Sequence, residues 1–314
     1  MSTTVADRVA AYRRLNESFE RKLYFHLGVN AGFFSEFNNM LLAVLYCLDE
    51  GIQFVLYSAD ANFRIEEGWR DFFEPFCPET VDDFHHANNY RWLKPYHLWR
   101  KARLLVAKRR YGIDYLTHDV WRKFKSTSFA GRKFSIPALG IEGGILDATR
   151  SLHEILWRYN TRTRILVDEK KAAIPLPERY IGIHIRGGDK VIEHEVFEAA
   201  PYIERAERLS SLRCAFVLTD DYSIFEALRG NFPGWDFRTT CDPKERGYYH
   251  EEHQRLEPAA RADRLIKLFA AMDLLAGAEY FIGTFSSNPG MNMGMRMPGG
   301  RAFGIDFDTW RVKW

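Results

Sequence analysis

Three short runs in the second half of the chain hold residue types that grip anions or move protons. The first is His184-Ile185-Arg186-Gly187-Gly188-Asp189-Lys190, the second Thr219-Asp220-Asp221, the third Gly283-Thr284-Phe285-Ser286-Ser287-Asn288. An arginine followed by two glycines suits a diphosphate, because the guanidinium offers a bidentate fork and glycines let backbone N–H groups come close. Ser286, Ser287 and Asn288 at the start of a helix can donate hydroxyls and amides to the same anion. Taken singly, each run is also an ordinary βα turn, with glycine for an unusual φ and Asp or Ser as a cap. The three together point to one anionic ligand.

Each run follows a short apolar segment with strand character, at 180–185, 214–219 and 279–284. Helical patterns at 201–212, 222–233 and 260–278 alternate with these, and further strands are expected at 235–240 and 301–306. This alternation predicts a doubly wound α/β domain, in which ligands bind beyond the carboxyl ends of parallel strands. Parallel strands would carry all three runs to one sheet edge. In the first half, a strand at 22–27, a glycine-containing loop at 28–35, a helix capped by Ser35 and ending at Gly51, and a strand at 52–58 form a βαβ unit. Residues 65–160 are helical and aromatic. A helix end at 161–173 and the stiff Ile174-Pro175-Leu176-Pro177 place a domain boundary between 173 and 174. The expected architecture is two Rossmann-like domains, 1–173 and 174–314, facing across a cleft.

The chain has 314 residues, 46% of them hydrophobic, with 44 basic against 42 acidic side chains, which excludes disordered and fibrous classes. No apolar run is long enough for a membrane span, and the polar start has no signal-peptide pattern. Cys47, Cys77, Cys214 and Cys241 are scattered without a CxxC pair, so a reduced, cytoplasmic protein is expected. Between Arg91 and Lys133, thirteen Lys/Arg face only Asp114 and Asp119, with Trp92, Tyr96, Trp99, Tyr111, Tyr115, Trp121 and Phe124 interleaved. This stretch reads either as a solvated helical face or as a surface for an anionic partner, a membrane or a lipid-linked acceptor. No nucleic-acid-binding motif accompanies it, so nucleic acid is not expected.

The three runs, in their order and spacing, resemble the donor-site motifs of the α-1,6-fucosyltransferases, a family of nodulation-factor and core fucosyltransferases whose pattern is H-x-R-R-x-D-K, T-D-D and T-F-S-S. Asn30-Ala31-Gly32-Phe33-Phe34-Ser35 is similar to the family's glycine loop. The resemblance covers roughly 180–290 well and 24–58 weakly. It implies a GT-B-type fold and transfer of fucose from GDP-fucose to a glycan hydroxyl, inverting and without a metal or other cofactor. By that comparison Arg186 grips the donor diphosphate and His184 contacts the nucleotide. Gly187, Gly188, Asp189 and Lys190 complete that loop, and Thr284, Phe285, Ser286, Ser287 and Asn288 support the phosphates. Asp220 and Asp221 shape the floor beneath the sugar, and Gly32 and Phe33 contribute from the first half. The general base is expected at Glu195, with Glu193 as the alternative.

Two positions depart from the family. Gly187 stands where the second arginine belongs, and Ala271 stands where an aspartate reads guanine, the nearest acid being Asp273. They leave open a transferase for another nucleotide sugar and a degenerate sugar- or nucleotide-binding protein. Several other patterns are read as structural. Asp306-Phe307-Asp308 imitates a metal motif, but too close to the C-terminus. His250-Glu251-Glu252-His253 lacks the spacing of zinc hydrolases. His85-His86 is expected as a surface pair, and Met291, Met293, Met295 and Met297 as packing.

Overall fold

A computed structural model describes residues 4–28, 31–89, 98–187, 199–248, 252 and 255–312. The chain divides into two compact units, one of residues up to 160 and one from residue 161 on. The boundary thus lies at 160/161 rather than 173/174. The reason is a helix, Thr161–Ala172, that packs along a long helix of the second unit, with Lys170 paired to Asp263 at 2.7 Å. The Pro-containing segment therefore joins two elements of one unit.

The first unit contains α1 (Val5–Glu17), β1 (Arg21–His26), α2 (Phe33–Glu50), β2 (Ile52–Tyr57), α3 (Asp83–Ala87), α4 (Leu98–Tyr111), β3 (Tyr115–Leu116), α5 (Thr117–Phe124), α6 (Thr127–Ala130), β4 (Phe134–Ile136), β5 (Ile141–Gly143) and α7 (Ile145–Leu156). β2, β1 and β3 form a parallel sheet in that order, and β4 and β5 pair antiparallel. α2 is the crossover of the expected βαβ unit, and its residues from Phe37 to Leu48 are all buried. It starts three residues earlier than a Ser35 cap would allow: Gly32 is the cap residue. Phe33 and Phe34 are thereby drawn into the core, where Phe33 meets Phe37, Phe63, Phe73 and Trp157. The buried side chain of Asn16 on α1 accepts from Phe54 N at 2.7 Å and donates to Phe54 O at 3.0 Å. One amide side chain thus satisfies both backbone groups of Phe54, a fully buried residue on the outer edge of β2.

The second unit contains α8 (Thr161–Ala172), β6 (Ile181–His184), α9 (Ala199–Leu209), β7 (Cys214–Leu218), α10 (Tyr222–Asn231), β8 (Asp236–Thr239), α11 (Pro258–Gly277), β9 (Tyr280–Gly283), α12 (Asn288–Arg296) and β10 (Ala302–Gly304). Its five strands are all parallel, in the order β10-β9-β6-β7-β8. The chain starts in the middle at β6, winds outward through β7 and β8, then returns to the other side of β6 for β9 and β10. That is the doubly wound order 3-2-1-4-5 of a dinucleotide-type sheet, and its topological switch point lies between β6 and β9. Ile181, Ile183, Ile185, Val217, Phe225, Leu228 and Ile282 form the core under this sheet. Such near-continuous aliphatic strands are what burial on both faces requires. The four methionines at 291–297 are all buried, so that stripe is packing.

Among the described residues, no helix is long and apolar enough to cross a membrane, and no group of three or more His, Cys, Asp or Glu could hold a metal ion. The four cysteines are free thiols. His85 departs from the surface pair expected of it. It is buried, its Nδ1 lies 2.9 Å from His26 Nε2, and burial pushes its pKa down to about 4. His86 is the exposed member and pairs with Asp60 at 2.7 Å.

Candidate functional site

The switch point collects the three runs. β6 ends at His184, β7 at Leu218 and β9 at Gly283, and the parallel ladders set these ends side by side. The ladder continues one residue further, with Ile185 N donating to Leu218 O at 3.0 Å. Arg186 and Gly187 therefore leave the sheet directly over the β7 loop.

His184 is buried, and its Nδ1 lies 3.5 Å from the Oγ of Ser287 across the switch point. The Ser287 hydroxyl donates to Thr284 O at 2.8 Å and accepts from Gly290 N at 3.1 Å. Its proton is thus committed, which puts the imidazole Nδ1 on the donating side of the contact. Burial, reinforced by the nearby Arg186 charge, pushes the His184 pKa down to about 3. The ring is neutral at pH 7, with Nε2 as an acceptor.

The third loop is built differently from the sequence expectation. Asp306, beyond β10, accepts from Phe285 N and Ser286 N, each at 2.8 Å. Ser287 is the N-cap of α12, and Met291 N bonds its carbonyl at 2.8 Å. Pro289 has no N–H. Most of the amides that could cradle a phosphate are thus occupied within the protein, one pair by a carboxylate. The share of this loop in holding an anion is thereby reduced, and Asp306 partly offsets the α12 dipole. Gly290 has to be glycine, since a Cβ there would lie 2.0 Å from Thr284 O. Thr284 and Phe285 are buried supports of the turn. Asp306, which the sequence reading set aside, is thus the residue that shapes this loop. Its signal was its place after a strand adjacent to β9.

Asp220 and Asp221 are likewise committed. Asp220 accepts from Gly187 N at 2.7 Å and from Tyr248 N at 3.1 Å, while its carbonyl accepts from Gly247 N at 2.7 Å. It clamps the arginine loop to the 247–248 segment. Asp221 is the N-cap of α10 and takes the Ser223 N–H at 2.9 Å. This clamp explains Gly187. A Cβ at that position would lie 2.9 Å from Asp221 Cβ, 3.2 Å from Ile224 Cδ1 and 3.4 Å from Asp220 Oδ1. A side chain there displaces the cap or the clamp, at a cost of about 1–3 kcal/mol for forced overpacking. Restoring the second arginine with Gly187→Arg is therefore expected to lower the melting temperature and leave GDP binding no tighter. A variant that melts like the parent and binds GDP more tightly in calorimetry would show that packing does not dictate this glycine.

The other candidates fall elsewhere. Ala271 is fully buried, and Asp273 forms a 2.6 Å ion pair with Arg296, so neither offers a carboxylate to a base. Gly32 and Phe33 belong to the first unit, Gly32 as the α2 cap residue and Phe33 inside the aromatic core. Gly188, Asp189, Lys190, Glu193 and Glu195 lie outside the described residues, as do Asn30, His250 and His253. Asp308 is exposed. Among the described residues of the three loops, Arg186, half-buried, is the only cation.

No family model and no curated protein sequence matches the chain. Solved structures do. Fucosyltransferase NodZ from Bradyrhizobium superposes with a TM-score of 0.52 at 18% identity, covering 90% of this chain and 94% of that one. A NodZ α-1,6-fucosyltransferase crystal soaked with GDP-fucose gives 0.50 at 18% identity, over 89% and 93%. A mutant of Arabidopsis thaliana FUT1 in complex with GDP gives 0.51 at 14% identity, over 95% and 76%. At such identities the likeness speaks for architecture. The protein has the α/β, GT-B-type fold of these fucosyltransferase structures.

Proposed function

We propose that the protein is a fucosyltransferase that moves L-fucose from GDP-fucose to a hydroxyl of a glycan acceptor, inverting the anomeric carbon without a metal. The observation that carries this reading is the convergence of the His184–Gly187, Thr219–Asp221 and Thr284–Asn288 loops at the switch point of the second unit. The fold it shares with NodZ, which has been crystallised with GDP and soaked with GDP-fucose, supports the donor assignment. Acceptor recognition is assigned to the first unit.

Departure of GDP builds negative charge on the β-phosphate and oxocarbenium character on the sugar. Arg186 meets that charge with a bidentate fork, and the α12 dipole adds a smaller term. The Ser286 hydroxyl and the Asn288 side chain orient the phosphates. Neutral His184 offers Nε2 as a hydrogen-bond acceptor to the nucleotide without adding a competing charge. Glu195, or Glu193, takes the acceptor proton as the hydroxyl attacks from the face opposite the leaving group.

The test is GDP release from GDP-fucose by the purified protein, with EDTA present and with a panel of other nucleotide sugars for comparison. Slow donor hydrolysis specific to GDP-fucose and unaffected by chelation is expected. With an acceptor found by glycan screening, Glu195→Gln should lower kcat by about 10²–10⁴ with donor affinity kept, as for loss of a general base. Binding of GDP-fucose with no GDP release under any condition would identify a sugar-nucleotide-binding protein instead. Release that requires manganese would remove the metal-free mechanism.

A further inference from the structure

We propose that the outward face of α4 is a docking surface for an anionic lipid bilayer. The helix carries Arg100, Lys101, Arg103, Lys108, Arg109 and Arg110 and no acidic residue. Its inward side is settled: Leu104 and Ala107 pack against Phe84, Ile113 and Leu116, and Lys108 pairs with Asp119 at 2.6 Å. Ala102, Leu105, Val106, Arg109 and Arg110 are exposed. Their spacing, i, i+3, i+4, i+7 and i+8, puts them on a single stripe.

That stripe is unusual in what it shows to water. Leu105 and Val106 are 66% and 69% exposed, and with Tyr111 they account for half of the large exposed hydrophobic residues among the described part of the chain. A surface helix ordinarily turns such side chains inward. Here the inner face is already filled, and the aliphatic pair stands beside two guanidinium groups, Arg109 and Arg110, whose side chains have no ion pair or hydrogen bond among the described residues.

Three occupants could neutralise those cations, and the geometry favours one. Nucleic acid would satisfy the arginines, but it gains little from two bare aliphatic side chains that neither stack on bases nor hydrogen-bond. A stable protein partner needs about 800 Å² on each side, more than one stripe of a helix about 21 Å long can supply. A bilayer needs no matching shape. It takes aliphatic side chains a few ångströms below the headgroups and holds arginines at the level of the lipid phosphates. The attachment is expected to be weak and reversible, since two aliphatic side chains make a shallow anchor.

Co-sedimentation of the full chain with phosphatidylcholine vesicles, and with vesicles of phosphatidylcholine mixed with phosphatidylglycerol, tests this directly. The chain should bind the mixed vesicles, spare the neutral ones, and release as salt shortens the Debye length from about 10 Å at 0.1 M to about 3 Å at 1 M. Arg109→Gln with Arg110→Gln should weaken binding about 25-fold, which is about 1 kcal/mol per arginine at 1.4 kcal/mol per decade. Leu105→Ser with Val106→Ser should weaken it at constant charge. Arg109→Lys with Arg110→Lys should retain it, which separates lost electrostatics from lost folding. Equal or absent binding to both vesicle types, a glutamine variant that binds like the parent, or preference for a DNA duplex over the mixed vesicles overturns the proposal.

Discussion

Arg186→Ala is expected to weaken GDP binding by about 2–5 kcal/mol, the range for truncating one member of a desolvated charge pair. At 1.4 kcal/mol per decade this is roughly 30-fold to several-thousand-fold in Kd. The large effect follows from what surrounds the arginine. Asp306 holds the amides of Phe285 and Ser286, and Ser287 caps its own helix. The third loop therefore has little free backbone to share the load. Gly187 leaves no second guanidinium beside the first. Arg186→Lys should fall between the two, because it keeps a charge but loses the planar fork. Calorimetry with GDP measures all three proteins. Unchanged affinity in a folded Arg186→Ala variant would remove this loop from the diphosphate site.

Asp220→Ala should damage both stability and donor binding. Its carboxylate receives two backbone N–H groups, from Gly187 at 2.7 Å and Tyr248 at 3.1 Å. Leaving two amides without their charged acceptor costs about 2–6 kcal/mol in total, at about 1–3 kcal/mol for each. Released from the clamp, the arginine loop also gains conformers that must be frozen again on binding. Asp220→Asn is the informative comparison. Its side chain keeps one acceptor oxygen but presents an NH2 to the other amide, so it should recover part of the stability and less of the affinity. Thermal unfolding and GDP calorimetry on both variants check this. A loss of affinity in the alanine variant with unchanged stability would mean that Asp220 touches the donor itself.

Much of the second unit was legible in the sequence because its three central strands, β6, β7 and β9, are largely buried on both faces. A strand such as YIGIHI has no polar side to confuse the pattern, and each one ends at a conspicuous polar run. The α/β class and the meeting of three loops at one sheet edge follow from that alternation and from the geometry of parallel strands. The first unit was less legible where tertiary burial overrode local signals. Ser35 looks like a helix cap, yet an aromatic core already containing Phe37, Phe73 and Trp157 draws Phe33 and Phe34 into the helix and moves the cap to Gly32. His85 and His86 are adjacent in sequence, but only His85 turns inward, to meet His26. The helix at 161–172 could have joined either half, and packing against α11 decides it.

The division is sharpest at the site. Residue type and order by themselves determined that an arginine, two aspartates and a pair of serines each follow a strand, the arrangement on which the proposed anion site rests. Which polar groups remain for that anion is a question of hydrogen-bond partners, and partners come from distant parts of the chain. Asp306 takes the amides the serine loop was expected to offer, Asp220 clamps the arginine loop, Asp221 excludes a side chain at 187, and Arg296 occupies Asp273. Each of these assignments depends on which side chain reaches a given donor first. That is settled by the packing of whole elements and has no signature in local sequence.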